Sequence, residues 1–81
     1  MDTQEKEYIK VRADFTIDGR IVPIKFRTAD GPARVVDRII DIRQAPSLKA
    51  GGQGTRYTCR VGEHLVYLFH DRDHWFFEDV S

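Results

Sequence analysis

The sequence predicts an all-β chain, a small antiparallel barrel or strongly twisted meander sheet of five to six strands, on three observations. Apolar and polar residues alternate with period two over Tyr8–Ile17 and again over Thr55–Val61, the pattern of half-buried strands. Turn-forming residues stand between alternating runs, foremost Asp18-Gly19. The one run with apolar residues at helical spacing, Ala33–Gln44, carries Val35, Val36, Ile39, Ile40 and Ile42, all branched at Cβ, which favours strand. At 81 residues the chain holds one domain, 1–81, with residues 1–7 expected as a flexible N-terminal tail. A domain this small hides only about 60% of the surface of its unfolded chain, so its core needs nearly all of its apolar content.

The first strand places Ile9, Val11, Ala13, Phe15 and Ile17 on one face, and Lys10, Arg12, Asp14 and Thr16 on the other. Asp18-Gly19 reads as a two-residue type I′ turn, and Arg20–Thr28 returns with Val22, Ile24 and Phe26 inward. That register sets Ile17 opposite Arg20, Phe15 opposite Val22, Ala13 opposite Ile24 and Val11 opposite Phe26. Pro23 falls on the outer face opposite Asp14, and its missing amide favours an edge or a bulge. Asp30-Gly31-Pro32 makes the next turn. Ala33–Gln44 is taken as a strand with a bulge near Asp37-Arg38, against a helix begun by Asp30 or Pro32. Ala45–Gly54 is a loop. Thr55–Val61 follows, with Tyr57, Cys59 and Val61 on one side. Three-residue connections at Gly62-Glu63-His64 and Asp71-Arg72-Asp73 bring Leu65, Tyr67, Phe69, Trp75 and Phe77 to that same side as an aromatic core. Short antiparallel strands that share one apolar face must curl to bury it.

Composition narrows the function classes. Hydrophobic residues make up 41% and charged residues 32%, which is ordinary for a folded globule and unlike a disordered chain. The formal net charge is zero, so no overall field draws in nucleic acid or an acidic membrane, and any anion must meet a local patch. Cys59 is the only cysteine, which rules out an internal disulfide and a thiolate zinc cluster and suits a reducing cytoplasm. Met1–Glu7 does not read as a signal or transit peptide, and the longest apolar run, Leu65–Phe69, is too short to span a bilayer. A cytoplasmic protein with no membrane partner is expected.

The stretches Asp18-Gly19-Arg20 through Lys25-Phe26-Arg27, Ser47–Gly54, Arg56-Tyr57-Thr58-Cys59-Arg60 and Trp75-Phe76-Phe77-Glu78 carry a resemblance. Together they resemble a family of short uncharacterised bacterial proteins of the Gram-positive, clostridial type, some of them encoded beside translesion DNA polymerases. The resemblance covers most of the chain after its first dozen residues. It implies a role near DNA repair, and no activity or catalytic residue comes with it.

Several groupings of side chains bear on chemistry. The hairpin register sets Lys10 opposite Arg27 and Arg12 opposite Lys25. Like charges directly opposed across strands destabilise a sheet, so this ladder suits an anion such as phosphate backbone. The competing reading is a solvated edge neutralised by Glu5, Glu7 or distant carboxylates. Arg56, Thr58 and Arg60 are expected on an outer face beside Val66, Leu68 and Phe76. That face suits a protein partner, a second copy of the chain or stacked bases, unless it is covered as a second core. Lys49–Thr55 is glycine-rich, but a strand follows it where phosphate loops have a helix, so a flexible connection is the simpler reading. His70 and His74 would be cross-strand neighbours and could hold a metal with Asp71 or Asp73, against a polar turn with incidental histidines. Cys59 lacks an activating base and reads as a small core residue.

The resulting expectation is a non-enzymatic binding module with no catalytic residue, metal or cofactor. Lys10, Arg12, Lys25, Arg27, Arg56 and Arg60 are its candidate nucleic-acid or anion-binding residues. The alternative is a protein-interaction module or homodimer formed through Val66, Leu68 and Phe76.

Overall fold

The computed structural model describes residues 7–46 and 53–79. Eight strands run through them: β1 (Glu7–Tyr8), β2 (Lys10–Phe15), β3 (Ile21–Arg27), β4 (Arg34–Val35), β5 (Arg38–Pro46), β6 (Gln53–Val61), β7 (His64–Asp71) and β8 (His74–Asp79). The fold is all-β, as the alternation and the β-branched run require. Every pairing is antiparallel. The strands form two sheets, one of five strands in the order β1-β8-β7-β6-β5 and one of three in the order β2-β3-β4. The expected barrel is thus not one continuous closed sheet. The chain changes sheets at two corners. At one, the Ile9 amide donates to the Trp75 carbonyl (3.1 Å); at the other, Val36 donates to Ile24 and Asp37 to Arg60, both at 2.9 Å. Glu7 and Tyr8 pair with Phe77 and Phe76, so the expected tail already includes part of a strand. Among the described residues no helix is long and apolar enough to cross a membrane.

The first hairpin differs from its expected turn and still reaches the expected ladder. Its loop holds three residues, Ile17-Asp18-Gly19, closed by the Thr16 amide on the Arg20 carbonyl (2.9 Å) and the Gly19 amide on the Thr16 carbonyl (3.0 Å). Only Gly19 takes a positive φ (+88°), which spares Asp18 the left-handed conformation that a type I′ turn demands. The Thr16 hydroxyl accepts from the Arg20 amide (3.0 Å) and donates to the Asp18 carboxylate. The extra loop residue shifts the register, so Phe15 meets Ile21 and Ala13 meets Pro23 instead of Val22 and Ile24. A bulge on β3 between Pro23 and Lys25 then removes the shift, and Arg12/Lys25, Val11/Phe26 and Lys10/Arg27 pair as expected. Pro23 cannot donate to a ladder, which is why the irregularity falls there. Its ring is buried, whereas Phe15 (77% exposed) and Ile17 (107%) lie in solvent, the reverse of the expected faces.

The Ala33–Gln44 run is strand, but the slip near Asp37-Arg38 is the passage from one sheet to the other. The bulge itself lies at Ile40. Strand pairing runs on to Pro46 and resumes at Gln53, so the loop is shorter than Ala45–Gly54. Gly54 packs against β7, where a Cβ would stand 2.7 Å from the His70 carbonyl oxygen.

The last two hairpins have two-residue loops, not three-residue ones: Val61 pairs with His64, and Asp71 with His74. Each change inverts the faces, and the two inversions cancel. Trp75 and Phe77 therefore share a face with Tyr57 and Cys59 as expected, while β7 presents Val66 and Leu68 there instead of Leu65, Tyr67 and Phe69. The core between the sheets gathers Phe26, Tyr57, Cys59, Val61, Val66 and Leu68, flanked by Ile9, Val11, Val36, Ile39, Trp75 and Phe77. Phe26 of the small sheet stacks on Phe77 of the large one (ring centroids 5.8 Å apart). The Tyr57 hydroxyl donates to the Ile21 carbonyl (2.5 Å) and ties the two layers together.

Candidate anion-binding face

The outer face of the small sheet is built by alternation. Val11 and Phe26 point into the core, so their neighbours on both strands point out. Lys10 stands opposite Arg27, and Arg12 opposite Lys25, and all four side chains are exposed. Val35 of β4 pairs with Lys25 and extends the face with an exposed apolar group. Between the basic side chains lies a shallow groove of about 330 Å³, floored by Val11, Phe26 and Ala33. The ion pairs found among the described residues, Arg20–Asp18 (3.5 Å) and Arg43–Asp41 (2.7 Å), involve none of the ladder's four cations.

Arg56 and Arg60 do not join it. They lie on the far side of the large sheet, because Cys59 and Tyr57, their alternating neighbours, face the core. On that far side Arg56 pairs with Arg43, and Arg60 with Arg38. Arg43 is held by Asp41 through two hydrogen bonds (2.7 and 3.4 Å), which raise the pKa of its guanidinium. Arg56 lies 4.6 Å above the Tyr67 ring, and its buried Nε has no hydrogen-bond partner. Arg38 and Arg60 are both exposed, beside a groove of about 350 Å³ lined by Ile39 and Ile40. Arg38 and Arg34 were not singled out from the sequence. Arg38 sat where the alternation slips, and only the β5–β6 register brings it opposite Arg60.

Val66, Leu68 and Phe76 do not form an outer apolar patch. They are 2%, 0% and 2% exposed. Val66 and Leu68 belong to the core between the sheets, and Phe76 stacks on Phe69 on the opposite face (centroids 5.1 Å apart). For Val66 and Leu68 the two-residue loop at Gly62-Glu63 is the cause, since it inverts β7 relative to β6. The two-residue loop at Arg72-Asp73 likewise separates the histidines. His70 stacks on Trp75 at 4.4 Å, and His74 packs edge-on against Tyr8 at 5.6 Å. Among the described residues no three His, Cys, Asp or Glu side chains converge as a metal site. The Lys49–Thr55 loop lies largely outside the described residues. Cys59 is fully buried, and desolvation pushes its thiol up to about 12, so it stays protonated and unreactive near neutral pH.

No family model, curated protein or solved structure matches the chain.

Proposed function

We propose that the chain is a non-catalytic binding module that takes the phosphate backbone of a nucleic acid on the outer face of its small sheet. The observation that carries this is the two opposed cation pairs, Lys10/Arg27 and Arg12/Lys25, around one groove, none of the four in an ion pair found among the described residues. Each such opposition costs roughly 0.2–1 kcal/mol in a free sheet. A phosphate seated between them turns that repulsion into attraction and releases counterions from the nucleic acid. The basic face is local, since the chain as a whole has zero formal charge, and this gives the polyanion one side to bind. The resemblance to bacterial proteins encoded beside translesion polymerases makes DNA the first ligand to test, in a cytoplasmic setting. We also read the two corner crossings as seams of a flattened six-stranded barrel, with the ladder on one of its broad faces.

The test is binding of labelled oligonucleotides by the wild-type chain and by Arg12→Glu/Arg27→Glu, over a range of salt. The proposal expects salt-sensitive binding that the double variant loses. Absence of wild-type binding to DNA and RNA at low ionic strength refutes it.

A further inference from the structure

Each sheet ends in two edge strands. β1 and β4 are two residues long, and β2 carries Lys10, features that commonly blunt an edge. β5 differs from them. It has nine residues and no lysine, and no described strand pairs with it on the side away from β6. Ile40 and Ile42 are 51% and 40% exposed along it. The alternation of hydrogen bonds fixes which backbone groups meet the open side. The Arg60 carbonyl accepts from the Asp37 amide, so Arg60 turns its backbone groups toward β5, and every second residue before it, Thr58, Arg56 and Gly54, does the same. Their partners Asp41, Arg43 and Ala45 turn their N–H and C=O toward β6. Ile42 and Gln44, between them, turn theirs outward. The bulge at Ile40 and the strand end at Pro46 bound this regular stretch.

We infer that a second copy of the chain pairs with this edge, antiparallel about a two-fold axis at Ile42, and joins the two five-stranded sheets into one. This pairing is independent of the nucleic-acid reading. Charge selects both the partner and the register. Asp41 and Arg43 share the outer face of the large sheet, where Arg43 bonds back to Asp41 (2.7 Å). With the axis at Ile42, each Asp41 stands opposite Arg43 of the second copy, so Asp41-Ile42-Arg43 is its own complement. An axis at Asp41 would oppose two carboxylates, and one at Arg43 two guanidiniums, and like charges directly opposed destabilise a sheet. The backbone favours the same register, because the outward N–H and C=O of Ile42 meet their counterparts as one hydrogen-bonded pair. The two Ile42 side chains then lie together beside a groove of about 350 Å³ that Ile21 and Tyr57 also line. A two-fold contact uses this edge in both copies, so assembly through it stops at the dimer.

The experiment measures the mass of the intact chain by sedimentation equilibrium over a concentration series, with thermal melting as the check on folding. The wild type should pass from one chain to two as concentration rises. Asp41→Arg makes this stretch of the edge wholly basic and Arg43→Asp makes it wholly acidic, so each variant alone should self-associate at least about tenfold more weakly. Mixed in equal amounts, the two variants should form a mixed dimer, because every opposition is then between unlike charges, and such a dimer also shows that both are folded. Exchanging the charges within one chain, Asp41→Arg/Arg43→Asp, should restore pairing to the wild-type level. A wild type that stays a single chain at millimolar concentration overturns the proposal, whether or not its edge takes up an unrelated extended peptide. A dimer that persists undiminished in Asp41→Arg and in Arg43→Asp, or two variants that fail to pair on mixing, also overturns it.

Discussion

Lys25 sits at the centre of the cationic ladder, opposite Arg12 and two residues along its strand from Arg27. Substituting Lys25→Glu places a carboxylate where it faces the Arg12 guanidinium directly, with the Lys10 ammonium on a diagonal and Arg27 two residues along its own strand. One opposed pair changes from repelling to attracting, a swing of roughly 0.4–2 kcal/mol when a cross-strand pair is worth 0.2–1 kcal/mol either way. The position is exposed, so no packing term offsets the gain. At about 1 kcal/mol a domain of this size melts about 4–8 °C higher. The assay is thermal unfolding followed by circular dichroism, in dilute buffer and again in about 1 M salt, where screening falls to about 3 Å and the gain should vanish. An unchanged or lowered midpoint in dilute buffer would refute the opposed-charge geometry. So would a gain that survives high salt, which would point to packing in place of charge.

Phe26→Ala should cost about 3–5 kcal/mol, because the ring is buried between the sheets and stacks on Phe77; denaturant titration reads this directly. Tyr57→Phe keeps the ring and removes only the hydroxyl bonded to Ile21, so a loss of about 1 kcal/mol is expected, with both sheets intact by amide exchange. Cys59 gives an alkaline signature: its folded thiol titrates at about 12, above its ordinary value, so the unfolded chain ionises first. Stability from this group is complete below pH ~8.5, the unfolded value, and is lost as pH rises toward 12. Cys59→Val should flatten the fall measured by urea unfolding across that window.

The sequence made strands legible wherever turn residues bounded a clean alternation, and less so the faces those strands turn inward. The class of fold followed from alternation, and the pairings Lys10/Arg27 and Arg12/Lys25 from alternation together with a turn placed at Asp18-Gly19. They survived a misread turn only because the bulge beside Pro23 cancels the extra loop residue, a compensation between two local irregularities that no single one announces. The period-two rule makes loop length decisive. At Gly62-Glu63 and at Arg72-Asp73 a loop shorter by one residue sent Val66 and Leu68 to the core and moved His70 onto Trp75. Gly62 and Arg72 take positive φ (63° and 59°), and for Arg72 nothing in the residue type signals that. Arg38 was hidden for a different reason: its partner Arg60 lies across a sheet change, and sheet changes leave only a slip in the alternation.

The most direct measurement is the salt dependence of DNA binding by the wild-type chain and by Arg12→Glu/Arg27→Glu, read by fluorescence anisotropy. The wild type should bind with an affinity that falls linearly in log–log form as salt rises, each neutralised phosphate adding about 0.7 to the slope on a single strand and about 0.9 on a duplex. The double variant should lose most of the affinity and flatten the slope while melting no lower than wild type. Binding that the double variant retains in full, or none by the wild type in dilute salt, would contradict the assignment of Lys10, Arg12, Lys25 and Arg27 as a phosphate-binding face.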